Sequence, residues 1–217
     1  DLHSFPTRRS SDLVQQNLVL FGYELDGGLA EYLLVPRIAM DHGNLVVLEK
    51  EIPATTLALA EPVSCCLNGA GQVAVAPGES VVVLGTGPIG LLHIALAKLA
   101  GATTILAAGR EGRLAAATDF GATCAVALTG EALTAEVRER TNGRGADVVI
   151  VAVGDLTLAN QALELAAIGG RVNYFAGFPK GKTASIDPNL IHYRELAVTG
   201  GSNALNQIGR ASCRERV

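Results

Sequence analysis

Short unbroken apolar runs alternate along most of the chain with segments in which apolar residues return every third or fourth position. Runs of the first kind read as strands and segments of the second kind as helices. The strand-like runs are Val81–Leu84, Thr104–Ala107, Ala125–Leu128, Asp147–Val153, Arg171–Phe175 and Leu196–Thr199. Helical runs separate them: Leu91–Leu99, Gly112–Phe120, Glu131–Thr141, Leu156–Ala167 and a short Asn189–Arg194. Such regular alternation predicts βαβ crossovers and an α/β fold, a doubly wound parallel sheet of six strands. A further helix is expected after the last strand, cut off at Gln207.

The sharpest stretch is Val81–Leu99, VVVLGTGPIGLLHIALAKL. A strand runs into Gly85-Thr86-Gly87-Pro88-Ile89-Gly90, and apolar residues at helical spacing follow at Leu91, Ile94, Ala95 and Leu99. A G-x-G-x-x-G turn between strand and helix predicts a dinucleotide-binding turn. Gly85 would make the sharp bend, Gly87 would admit a pyrophosphate close to the backbone, and Gly90 would let the helix pack on its strand. Phosphates would sit at the helix N-terminus, where free N–H groups and the dipole favour negative charge. Pro88 suits a helix start because it has no N–H to leave unsatisfied. The plain alternative is a glycine turn of some other α/β protein.

Residues 14–50 carry β-rich runs at Ala30–Pro36 and Asn44–Leu48, with turns at Asp26-Gly27-Gly28 and Asp41-His42-Gly43. They read as a β-rich remnant, the closing strands of a domain that starts earlier. Ala54–Val73 is helical with an expected break at Glu61, because the residue before a proline is pushed out of the α region, and Pro62 starts the next helix. The expected organisation is a remnant over 14–60 and a dinucleotide-binding domain over 61–207.

Composition adds little until the two ends are considered. With 49% hydrophobic and 18% charged residues and a formal net charge of −4, the 217 residues suit a globular, cytoplasmic protein without nucleic-acid or membrane partners. One DNA string, however, encodes Asp1–Leu13 on one strand and, on its complement, Ile208–Val217 followed by a stop. It resembles a sequencing adapter, so residues 1–13 and 208–217 are expected to be foreign to the protein. Setting them aside leaves 12 basic and 18 acidic residues, a net charge of −6, and three cysteines, Cys65, Cys66 and Cys124. An odd count without a C-x-x-C pair supports neither a disulfide framework nor a local zinc knuckle. Cys65 and Cys66 are expected to be small buried packing residues in a reducing compartment.

The end of the second strand bears on cofactor choice. An NAD site places an acid about 20 residues after the glycine turn, on the ribose hydroxyls. Here the segment reads Ala107-Ala108-Gly109-Arg110-Glu111-Gly112-Arg113, with Gly109 at the acid's place. A small residue followed by arginine leaves room for a 2′-phosphate and supplies a guanidinium for it, which favours NADP over NAD. Alternatively Arg110 is solvated and Glu111 does the acid's work. Glu61 by itself reads as an acid favourable to a helix dipole. His93, with apolar neighbours, reads as a partly exposed packing residue, and His192 and Tyr193 lack evident partners for acid–base work.

Five stretches together resemble the zinc-dependent medium-chain alcohol dehydrogenases, in their polyol, sorbitol and threonine dehydrogenase branch. They are GGLAEYLLVP (27–36), ALAEPVSCCLNGA (58–70), VVVLGTGPIGLLHIALAKLAGA (81–102), GADVVIVAVG (145–154) and GGRVNYFAGFPKG (169–181). NLIHYRELAVTG (189–200) is similar to sugar-alcohol and sugar-alcohol-phosphate dehydrogenases of bacteria. The resemblance implies a GroES-like catalytic domain followed by the dinucleotide domain. It also implies an oxidoreductase that moves hydride between an alcohol and a nicotinamide, with Zn2+ polarising the substrate oxygen in the intact parent enzyme. By the same resemblance Glu61 matches the glutamate of an E-P motif in or beside the zinc shell. Phe175, Ala176 and Gly177 match the segment beside the nicotinamide, and Ser202 to Ala204 match a second one. The resemblance implies that the family's other zinc ligands lie upstream of anything present here, so the chain is expected to bind cofactor without turning over. Relatives are homo-oligomers, and the substrate is a small alcohol or polyol. The competing readings are a non-catalytic dinucleotide-binding module and a methyltransferase-like domain, the latter disfavoured by the G-T-G-P-I-G turn and the E-P segment.

Overall fold

The apolar runs become strands buried on both faces. The computed structural model describes residues 21, 25–41 and 45–201. They fall into two units that divide between Pro53 and Ala54. In the second unit, β1 (Ser80–Leu84), β2 (Thr104–Ala108), β3 (Cys124–Val126), β4 (Ala146–Val151), β5 (Ala166–Tyr174) and β6 (Ala197–Gly200) form one sheet in the order β3-β2-β1-β4-β5-β6. Every pairing is parallel. Parallel strands joined by helical crossovers are covered on both sides, which is why the runs are continuously apolar rather than alternating.

The two-residue period sorts the core into two layers. Val82, Leu84, Leu106, Val149 and Val151 face helices that contribute Leu133, Val137, Ala162 and Leu163. Val81, Val83, Ile105, Val148 and Ile150 face the side that holds Val73, Ile94, Ala97 and Ala117. At the start of β1, Ser80 N and Oγ both donate to Asp147 Oδ2 (2.8 and 2.7 Å), and Asp147 N donates back to Ser80 Oγ (3.0 Å), which pins β1 to β4 in register.

Eight α-helices occur among the described residues: α1 (Arg37–Asp41), α2 (Ala54–Leu57), α3 (Ala60–Val73), α4 (Pro88–Leu99), α5 (Leu114–Asp119), α6 (Gly130–Arg140), α7 (Leu158–Leu165) and α8 (Pro188–Tyr193). The expected break at Glu61 lies earlier, at residues 58–59. Glu61 and Pro62 are the second and third residues of α3, where a proline removes an N–H that has no helical acceptor in any case. Helix α7 stops two residues short of expectation. Ala166 already pairs with Ala146, and the register then slips so that Arg171 meets Val148, with Gly169 in a left-handed conformation (φ 72°) within the slip.

In the first unit the expected β-rich remnant contains no strand among the described residues. Phe21 and Leu25 form one isolated bridge, 30–36 and 45–48 are irregular, and α1 occupies Arg37–Asp41. Strand propensity expresses itself only when a neighbour supplies the ladder, and these runs have no such partner among the described residues. The turn residues 42–44, the end segments 1–13 and 208–217, and Ser202–Ala204 lie outside the described residues.

Candidate functional site

The sheet order reverses at β1, whose neighbours are β2 on one side and β4 on the other. Connections leaving the two sides diverge there and open a crevice at the carboxyl ends of the strands. A cavity of about 680 Å3 occupies that place, walled by Gly85–Gly87, Ala108–Arg110, Arg113, Ala127–Thr129, Ala152, Val153 and Asp155. Gly85 bends the chain into it with φ 107°, a left-handed conformation that an L side chain rarely adopts. Gly90 sets how closely α4 approaches, because a Cβ there would lie 1.8 Å from the Gly85 carbonyl oxygen. Gly87 is the extended residue before Pro88, and Leu91 N donates to Gly87 O (2.9 Å), so α4 begins immediately behind the turn. The N-terminus of α4 thus meets the crevice with its unpaired donors and its positive dipole end.

Two arginines that follow β2 join the turn. Arg110 lines the cavity, and Arg113 Nη1 lies 3.6 Å from where a Cβ on Gly87 would stand. Asp155 also lines the cavity, and its carboxylate accepts from Thr157 Oγ1 (2.8 Å) and N (3.0 Å), bonds that hold it below the usual carboxylate range. Thr86 is 4% exposed, yet its Oγ1 has no partner in the protein. A buried hydroxyl without a partner costs about 1–3 kcal/mol, a penalty that a bound polar ligand removes. Open backbone at Gly87, an unpaired hydroxyl and two guanidiniums fit a phosphate-bearing dinucleotide.

The other predicted residues gather in a separate pocket of about 400 Å3 lined by Glu61, Pro62, Cys65, Ile89, Phe175, Ala176 and Gly177. Cys65 is only half-buried, and its thiol donates to Glu61 Oε1 (3.1 Å) one turn back on α3. Burial and the Glu61 carboxylate push the Cys65 thiol up to about 12, so it stays protonated. Cys66, by contrast, is fully buried as expected. A catalytic zinc takes three protein ligands and an open position. Among the described residues no group of three His, Cys, Asp or Glu side chains could hold a metal ion, so Glu61 and Cys65 alone do not fit one.

His93 departs most from its sequence reading. It is 1% exposed, its ring meets Phe175 edge to face, and neither ring nitrogen has a partner. Burial pulls it down to about 4. Thr86 is expected among the cofactor-binding residues of the turn, but its burial is not legible in the sequence, and Asp155 is not singled out by the sequence at all. Thr86 sits inside a motif read for its glycines, and Asp155 follows β4 without any motif. A larger opening, about 790 Å3, lies between α6 and α7, where Gln161 Nε2 donates to Gly130 O (2.7 Å) and Asn160 Nδ2 to Glu164 Oε1 (2.6 Å), but no residue of the glycine turn lines it. The crevice at the strand ends is therefore the candidate site.

Glycine turn, switch-point crevice and parallel sheet define a dinucleotide-binding α/β protein. A family profile described as zinc-binding dehydrogenase matches residues 88–209. The chain is 34% identical over 199 residues to an L-threonine 3-dehydrogenase of Pyrococcus furiosus, covering 90% of this chain and 55% of that protein. A zinc-binding dehydrogenase from Sinorhizobium meliloti 1021, solved bound to NADP, superposes with a TM-score of 0.78 at 33% identity, over 96% of this chain and 60% of that one. A short chain alcohol dehydrogenase from E. coli CFT073, complexed with NADH, shares the fold with a TM-score of 0.82 at 22% identity, over 97% and 60% of the two chains. The protein belongs to the zinc-binding dehydrogenase family. It spans about half the length of the curated relatives it matches. Among the described residues no helix is long and apolar enough to cross a membrane.

Proposed function

We propose that this chain is the dinucleotide-binding part of an NADP-linked alcohol dehydrogenase that acts on a polyol, a sugar alcohol or its phosphate. The observation that carries the reading is the crevice itself: a glycine turn at the head of α4, an unpaired Thr86 hydroxyl, Gly109 where an NAD site would place an acid, and Arg110 and Arg113 lining the same cavity. The backbone at Gly87 and the head of α4 hold the pyrophosphate, with Arg113 beside them. Arg110 takes the 2′-phosphate, because Gly109 offers no carboxylate to repel it. Phe175, Ala176 and Gly177, in the neighbouring pocket with Glu61, flank the nicotinamide and keep water from it. When bound, NADP supplies or accepts the hydride exchanged with the carbinol carbon of the substrate.

Among the described residues Glu61 turns toward the reacting end, and its carboxylate accepts from the Cys65 thiol. The described residues supply no three-ligand set for zinc. The reading assigns 14–60 to a catalytic domain's remnant and 61–207 to the dinucleotide domain, with a cytoplasmic, homo-oligomeric parent enzyme. The resemblance of the matching stretches and the relatives named above support it. Calorimetric titration of the whole chain with NADP and with NAD tests it. Tighter binding of NADP, by about tenfold or more for one extra charge-assisted contact, is expected, and equal or tighter binding of NAD overturns it.

A further inference from the structure

Gly109 brings no carboxylate to the end of β2 and Arg110 brings a positive charge, and the space around Gly109 adds a second condition. A Cβ built on Gly109 would lie 2.0 Å from Thr86 Oγ1, 2.6 Å from its Cγ2 and 2.8 Å from its Cβ. Carbon atoms rest at about 3.5–4.0 Å, so all three contacts are far inside the repulsive wall. Rotating Thr86 about χ1 moves Oγ1 and Cγ2 but leaves Cβ where it is, and a β-branched residue always has a heavy atom in two of its three staggered positions. Thr86 is buried and follows the Gly85 bend, where a Cβ would already stand 3.1 Å from Val153 Cβ and 3.2 Å from the Ala152 backbone, so it has little room to retreat.

We infer that Thr86 is a specificity-determining residue: its side chain occupies the volume that any acid at the end of β2 would need, and so locks position 109 as glycine. This rests on the NADP reading for its functional meaning. The cofactor's ribose then meets the Thr86 hydroxyl, which has no partner in the protein, in place of a carboxylate. Position 86 and position 109 change together or not at all, and replacing Gly109 by an acid alone does not convert the site to NAD.

The test is a double-mutant cycle on the full chain, read first without cofactor by thermal melting. Gly109→Ala with Thr86 in place lowers Tm by about 5 °C, the shift expected of an overpacked contact in a chain this size. Thr86→Ala recovers part of that shift and Thr86→Gly most of it, relative to each single variant. Equal Gly109→Ala shifts with and without Thr86→Gly overturn the inference. The second reading is cofactor affinity by calorimetry. Gly109→Asp alone gains no NAD affinity, whereas Thr86→Gly with Gly109→Asp raises the NAD-to-NADP affinity ratio about tenfold or more, the change expected from one new charged hydrogen bond. A full gain from Gly109→Asp alone overturns it as well. If the melting cycle shows coupling while the unmodified chain prefers NAD, the steric pair stands and the NADP reading falls.

Discussion

The ring of His93 meets the ring of Phe175 edge to face, with centroids 4.5 Å apart and planes 77° apart. The pair joins the buried side of α4 to the segment that follows β5 and lines the Glu61 pocket. Room for it comes from Gly69 of α3, where a Cβ would stand 2.5 Å from Phe175 Cδ2. A histidine thus supports the wall of the site while remaining neutral.

That neutrality predicts a pH dependence. In the unfolded chain His93 takes up a proton near its ordinary 6.5, but burial delays this to about 4 in the folded protein. Between those values the unfolded state binds more protons, so stability is complete above about 6.5 and falls as pH drops toward 4. The loss reaches about 2 kcal/mol at pH 5. His93→Leu removes this penalty together with both unpaired nitrogens. Its Tm advantage over the unmodified chain should grow by about 5 °C between pH 8 and pH 5. Parallel Tm curves for the two proteins would show that His93 titrates freely.

Gly90 and Gly112 should respond oppositely to alanine. At Gly90 a Cβ would stand 1.8 Å from a backbone oxygen that cannot rotate away, so α4 has to leave β1. Gly90→Ala should cost about 3 kcal/mol or more and abolish dinucleotide binding, since the head of α4 moves with it. Nothing stands within 4 Å of a Cβ on Gly112, whose substitution should be neutral or stabilise by about 0.5 kcal/mol. Urea unfolding of both variants measures the contrast.

Arg171 closes the end of α3. Its Nη1 donates to Val73 O (2.8 Å) and Ala74 O (3.0 Å), and its Nη2 donates to the Glu79 carboxylate. These carbonyls belong to a helix end that turns left-handed at Ala74 (φ 43°) and lacks further helical donors. Arg171→Ala should destabilise by about 2 kcal/mol, because three acceptors lose a charged donor at a half-buried place. Arg140→Ala, which breaks an exposed pair with Glu136 on one helix face, should cost under about 0.5 kcal/mol. Denaturant midpoints of the two variants rank the contacts.

Arg110→Ala should weaken NADP by about tenfold or more and leave NAD nearly unchanged, because only the former carries a 2′-phosphate for the guanidinium. The loss should shrink as salt is raised from about 50 to about 500 mM, since the contact is exposed to screening. Equal losses for both cofactors in paired titrations would place Arg110 on the shared pyrophosphate instead.

The six strands, their parallel class and the glycine turn were legible in the chain itself, because continuous apolar runs, helical spacing and a bend between them are local properties written in consecutive residues. Gly85, Gly87, Gly90, Gly109 and Arg110 could be named for the same reason. The β-rich runs at 30–36 and 45–48 misled, since a strand also needs a neighbour and propensity does not say whether one is there. Packing in three dimensions was needed to show that Thr86 fills the space beside Gly109, that Arg113 reaches back over Gly87, and that Cys65 holds Glu61. It was needed as well to show that His93 is sealed against Phe175 rather than partly exposed. Each of those is a contact between residues on different strands, helices and loops or on successive helical turns. What they share is a spatial arrangement of side chains, which exists only once the chain has folded.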